Sequence, residues 1–280
     1  MPVCEASIPL SCFMVFPVNP DGGPLSQQQC QTICPEPMNV TGCQVENSNG
    51  GGPGALNCFY ACGTGRAFDG MTRVTSKGPS PIAAYLADIA YLESAAVEAF
   101  DILVRELEVH GAPAALVRAA RAAREDEVRH ARMTEKLALA RGATVRAPER
   151  SPREVRPLVD IAIDNAAEGC VRETFGALLA QHQGAHAADR SLGRAMRQIA
   201  EDETRHAELS WALAEWLEGK LTADERARVR YARDRAIEQL LGSTNGEVPA
   251  EVQHLAGVPK PAVARAMVRS LKAELWSGVS

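Results

Sequence analysis

The feature that most constrains this chain is a repeated heptapeptide. Glu125-Asp126-Glu127-Val128-Arg129-His130-Ala131 returns 76 residues later as Glu201-Asp202-Glu203-Thr204-Arg205-His206-Ala207, changed only where Thr204 replaces Val128. Each copy carries a Glu-x-x-His pair, Glu127 with His130 and Glu203 with His206. Residues three apart on a helix share a face, one turn above the other. A carboxylate and an imidazole so placed can bind a metal ion, and two such pairs on facing helices can bind two. One copy alone would read as a charged helix face, with Asp126–His130 and Glu125–Arg129 as solvated i,i+4 pairs. Two copies, each preceded by a helix with an inward Glu, favour the metal site.

The surrounding pattern predicts long helices. Ser80-Pro81 supplies an N-cap and a proline at the first helical position. The first helix runs to about Val109 and stops at His110-Gly111, with Leu86, Ile89, Val97, Phe100 and Leu107 on its apolar stripe. A second runs from Pro113 to before Gly142. A Pro-containing crossover leads to a third, from about Pro157 to Gly184, and a fourth spans about Asp189 to Glu218. Short loops join first to second and third to fourth, while a long one joins second to third. This is a four-helix bundle of two hairpins with one crossover, the connection pattern of ferritin-like folds. Thr222-Ala-Asp-Glu225 is a capping box for a fifth helix to about Leu241, and Pro261 opens a last helix to about Trp276. The chain therefore divides into 1–80, a Cys-rich segment and linker; 81–220, the bundle; and 221–280, a helical extension expected to pack outside it or to mediate homo-oligomer contacts.

The hairpin repeats beyond the heptapeptide: Glu93-x4-Glu98-x-Phe100 matches Glu168-x4-Glu173-x-Phe175. A dinuclear carboxylate site needs one Glu from each of two helices besides the two Glu-x-x-His pairs. Glu93 continues the stripe of Leu86, Ala90, Val97 and Phe100, whereas Glu98 keeps company with Ser94, Asp101 and Arg105. Glu168 shares a stripe with Ile161, Asn165, Phe175 and Leu179, and Glu173 lies with Cys170 and Ala177, nearer the seam, as a supporting or switching carboxylate. The expected metal ligands are Glu93, Glu127, His130, Glu168, Glu203 and His206. A ligating His usually donates its far N–H to a carboxylate, so Asp202 is expected to orient His130 and Asp126 to orient His206, with Arg129 and Arg205 neutralising the aspartates. Carboxylates with imidazole suit two Fe ions, or Mn. His110, His182, His186 and His254 fall at helix ends or in loops, and Cys170 reads as a buried filler.

Seven of the eight cysteines (Cys4, Cys12, Cys30, Cys34, Cys43, Cys58 and Cys62) lie in the first 62 residues. That density in a Gly/Pro-rich stretch favours a disulfide-stapled cap and an extracytoplasmic, periplasmic or secreted protein. A zinc site from Cys30-x3-Cys34 and Cys58-x3-Cys62 is the alternative, although its gap is wider than the usual two residues. Met1-Pro2 leads into no basic n-region. The net charge of −5 weighs against a nucleic-acid surface, and no run of eighteen apolar residues is present to span a membrane.

The doubled Asp-Glu-x-Arg-His motif, Asp126 to His130 and Asp202 to His206, resembles that of the ferritin-like diiron-carboxylate superfamily. Around Glu93-Ser-Ala-Ala-Val and Glu168-Gly-Cys-Val-Arg-Glu-Thr the chain also looks like ferritin-like proteins of myxobacterial type, which carry a Cys-rich exported leader. It departs from the family pattern at Ser94, where a His is expected. The resemblance implies O2 or peroxide chemistry at a diiron centre, and hence a diiron oxidoreductase or oxygenase. It leaves the electron donor and any small organic or peptide substrate unnamed. Alternatives are a ferroxidase of iron-storage type, a peroxidase without a rubredoxin-like Cys-x-x-Cys module to feed it, and a metal-binding surface protein without turnover.

Overall fold

The computed structural model describes the backbone of 3–9, 40–46 and 55–61, and residues 66, 76, 78–148, 154–244 and 246–277. Among the described residues the body is helical, with seven helices packed as a bundle and its attachments. Before them the backbone pairs as β1 (Val3–Pro9), β2 (Val40–Glu46) and β3 (Ala55–Ala61) in an antiparallel sheet of order β1-β3-β2. The expected cysteine cross-links and the zinc alternative fall outside what is described.

Helix α1 (Pro81–Val109) is capped by Ser80, whose Oγ accepts from the Ala83 amide at 3.3 Å, and Pro81 starts it as the sequence predicts. Gly111, at φ 65°, makes the turn into α2 (Ala114–Leu139). The crossover after Gly142 is anchored at its far end by Arg156, which forks onto buried Glu106 of α1 at 2.7 and 2.9 Å and carries a carbonyl bonded by His110 Nε2. Helix α3 is continuous over 158–186 but not uniform. An α segment (Leu158–Asp164) passes into a π segment (Asn165–Glu173) and back to α (Thr174–His186). Asp189 caps α4 (Arg190–Glu218), and the Thr222/Glu225 capping box opens α5 (Ala223–Ser243). The sequence pattern leaves out a short α6 (Ala250–Ala256), and the last helix, α7 (Pro261–Leu271), ends in a π turn, Lys272–Trp276. Gly257 closes α6 at φ 66°, and a Cβ there would stand 2.6 Å from the Ala187 nitrogen, so both conformation and close approach require glycine.

Helices α1 and α2 form one closely packed pair, α3 and α4 the other, and α2 meets α4 across the middle. Two apolar layers fill the interior. One is built from Phe100, Leu103, Leu107, Ile161, Leu213 and Leu217, the other from Ile82, Leu86, Ala138, Leu192, Val252 and Ala256. Helix α3 is buried on a further face, where Val171, Phe175 and Leu179 pack on Ile237, Leu240, Val268 and Trp276 of the C-terminal helices. Among the described residues no helix is long and apolar enough to cross a membrane.

Candidate metal centre

The middle of the bundle, between the two apolar layers, is not apolar. Glu93 of α1, Glu127 and His130 of α2, Glu173 of α3, and Glu203 and His206 of α4 are all buried there. Each heptapeptide turns its Glu and His inward because Ala123 and Ala138 on α2, and Ile199 and Leu213 on α4, anchor the same faces in the core. Ligand atoms of Glu93, Glu127, His130 and Glu203 lie within 4.8 Å of one another, a set able to hold a metal ion.

The carboxylates are shared between the imidazoles. Glu127 sets Oε2 3.5 Å from His130 Nδ1 and Oε1 3.1 Å from His206 Nδ1. Glu203 sets Oε1 3.9 Å from His130 Nδ1 and Oε2 3.9 Å from His206 Nδ1. Glu93 Oε2 is 3.6 Å from His130 Nδ1. The rings stand 6.1 Å apart, and Phe100 meets His206 edge-on at 5.2 Å. Both Nδ1 atoms, Glu93 Oε2 and Glu127 Oε2 are buried without a hydrogen bond, and the 3.1 Å approach lacks the alignment of one. Buried polar atoms are nearly always satisfied. Four converging groups left unpaired, all of them good metal donors, fit a cation between them.

The outer ring nitrogens are fully accounted for. His130 Nε2–H donates to Asp202 Oδ2 at 2.9 Å and His206 Nε2–H to Asp126 Oδ2 at 3.3 Å, each across the bundle. A carboxylate can only accept, so Nε2 carries a proton and Nδ1 is the ring atom turned to the cluster, where a bound cation would displace any proton it holds. Arg129 pairs with Asp126 on its own helix and reaches Asp202 at 3.4 Å. Arg205 pairs with Asp202 on its own helix and reaches Asp126 at 3.2 Å.

Protonation follows from burial and these neighbours. Burial drives Glu93 up, and the Glu127 charge adds to it, reaching about 7. Burial and the Glu127 charge likewise hold Glu203 well above the usual carboxylate range. Burial would raise Glu127 too, but the close approach of His130 and His206 overrides it and holds Glu127 low. Burial opposes charging of the imidazoles, yet the surrounding carboxylates carry His130 up to about 12 and His206 up to about 11. In the same way burial is overcome at Asp126, where His206 and Arg129 bring the carboxyl down to about 2.

Glu168 contributes none of the ligand atoms that lie within 4.8 Å of one another. It lies on a half-buried turn, 3.4 Å from Arg172 Nε. Glu173 arrives instead, buried, accepting from Ser210 Oγ at 2.7 Å and within the fields of His206, Glu127 and Glu203. Two physical causes separate this from the stripe reading. Phe175 and Leu179, which made Glu168 look inward, face the C-terminal helices rather than the bundle interior. The π segment also winds more slowly than 3.6 residues per turn, so an α-helical stripe loses phase across Asn165–Glu173. Inward positions there are Asn165, Cys170 and Glu173, held as Asn165 Nδ2 donates to the Ser210 carbonyl at 2.8 Å. Gly169 permits this contact, since a Cβ would stand 2.7 Å from Ser210 Cβ. The grouping of Glu173 with Cys170 and Ala177 was the available sequence signal.

Sequence reasoning missed Arg66, which is 2% exposed and reaches the site from ahead of α1. A lone Arg in a Gly/Thr-rich stretch carries no periodic signal. Cys170 is buried, and burial pushes its thiol up to about 12, which leaves it unreactive. No family model matches this chain, and no curated protein or solved structure matches it either.

Proposed function

We propose that this is a ferritin-like protein whose buried cluster binds two metal ions, iron by preference and manganese as an alternative, and that it acts as an O2- or peroxide-dependent oxidoreductase. The observation that carries this reading is the sharing of Glu127 and Glu203. Each directs one oxygen to each imidazole Nδ1, the arrangement of two carboxylates between two metal positions. His130 and Glu93 would complete one position, His206 and Glu173 the other. Four carboxylates offset the charge of two divalent ions, which makes their joint burial tolerable.

Bound iron would supply electron transfer to O2 or peroxide. The chain's own residues perform the remaining tasks. Asp202 and Asp126 keep a proton on each Nε2, so that Nδ1 is the atom each ring would turn to a metal. The apolar layers on both sides keep bulk water from the site. A cavity of ≈ 180 Å³ between α3, α4 and α5, lined by Ala162, Cys170, Trp211 and Leu217 and by the charged Glu218 and Arg233, is the candidate seat for a small substrate. Cys170 on its wall touches Asn165 and the Ser210 carbonyl, and Ser210 holds Glu173.

Anaerobic Fe(II) loading with metal analysis, followed by exposure to O2 and optical spectroscopy, tests the reading. About two irons per chain and O2 consumption coupled to iron oxidation are expected. Clearly fewer than about two metals per chain would refute the dinuclear centre, and two irons that do not react with O2 or peroxide would refute the oxidoreductase.

A further inference from the structure

Among the described residues, the two ends of the cluster differ in one charge. At the His206 end, Arg66 lies inside the protein with its guanidinium carbon 5.5 Å from the Phe100 ring centroid, against the ring that touches His206. Its Nη2 donates to Asn165 Oδ1 at 3.2 Å and stands 3.9 Å from Asp164 Oδ2. Its Nη1 is 3.9 Å from Glu173 Oε1, and neither atom has a hydrogen bond. That carboxylate oxygen is the one Ser210 leaves free, and so the one available to a metal. At the opposite end the charged partner of Glu93 is His130, itself a ligand candidate. The ligand atoms that already lie within 4.8 Å of one another are those of the His130 end.

Resting on the dinuclear reading above, we propose that Arg66 makes the two metal positions unequal. The position of His130 and Glu93 fills first. The position of His206 and Glu173 binds more weakly, because Arg66 competes for Glu173 and repels an incoming dication. Two like charges a few ångströms apart in a buried site interact strongly. Filling the second position requires Glu173 Oε1 to turn from Arg66, which retains Asp164 and Asn165 as partners. Arg66, from outside the bundle helices, thereby sets the occupancy of a site built by the bundle.

Anaerobic Co(II) titration, read by visible absorption and calorimetry, tests this in the full chain. The wild type should bind in two unequal steps. Arg66→Gln should strengthen the second step by roughly tenfold or more, the scale of removing one charge beside a dication, and leave the first unchanged. Arg66→Lys should stay close to wild type. Glu173→Gln should lose the second step, and adding Arg66→Gln to it should change nothing further, since the two act as one pair. If Arg66→Gln does not fold, Arg66→Met, which keeps an apolar stem on Phe100, carries the same test. Two equal steps in the wild type, or a second step unmoved in a folded Arg66 variant, would overturn the proposal while leaving two metals in place. A single equivalent in wild type and variants alike would overturn both the proposal and the dinuclear reading.

Discussion

The cross-bundle aspartates allow a graded prediction. Asp202→Asn keeps the volume and removes the carboxylate that accepts from His130 Nε2 at 2.9 Å. An Asn that turns its NH2 toward the ring forces the imidazole proton onto Nδ1, the atom needed for metal. Loss of such a partner typically costs roughly 10- to 100-fold in metal affinity, or about 1.4–2.7 kcal/mol. Asp126→Asn acts on a longer 3.3 Å contact to His206, so its effect should fall at the lower end. Each change also removes a partner from Arg129 and Arg205, whose side chains are 47% and 54% exposed. Exposed pairs contribute about 0–1 kcal/mol, so the arginine part of each change is small, and a larger loss in the metal-free variants would report the buried His–Asp bond. Calorimetric titration with Co(II), alongside urea unfolding of the metal-free proteins, separates the two effects. Wild-type affinity in both variants, or a larger loss in Asp126→Asn, would refute the assignment of the aspartates as holders of the imidazole tautomer.

Other outcomes follow from the same geometry. Glu168→Gln should leave metal stoichiometry unchanged, because that carboxylate pairs with Arg172 outside the cluster; elemental analysis decides it. Gly169→Ala should destabilise the protein by about 1–3 kcal/mol through overpacking against Ser210, measured by urea unfolding. Asp189→Ala should remove the α4 cap at a cost of about 1 kcal/mol near neutral pH. The Asp189 carboxyl is held below its ordinary 3.8, chiefly by the Ser191 hydrogen bonds. Its contribution is therefore present above that value and lost as pH falls through the lower folded one. The gap in urea midpoint between wild type and Asp189→Ala should shrink on going from about pH 5 to about pH 3, and a gap that widens on acidification would contradict the cap.

The sequence alone determined six of the seven described helices and, with Glu93 on its apolar stripe, most of the centre. Caps and breakers are local signals: Ser80-Pro81, Gly111, Asp189 and the Thr222/Glu225 box act within a turn, so helix ends were legible without tertiary information. The heptapeptide likewise fixes Glu127 with His130, and Glu203 with His206, on one face of a regular helix, because i and i+3 coincide there whatever surrounds the helix. Tertiary structure decided the rest. An apolar stripe says that a face is buried, not what buries it, and α3 is covered on one side by α4 and on another by the C-terminal helices. That ambiguity, with the π segment's change of phase, is why Glu173 and not Glu168 reaches the cluster. Arg66 is the limiting case. It comes from outside the bundle, and only the folded chain brings its charge to Glu173.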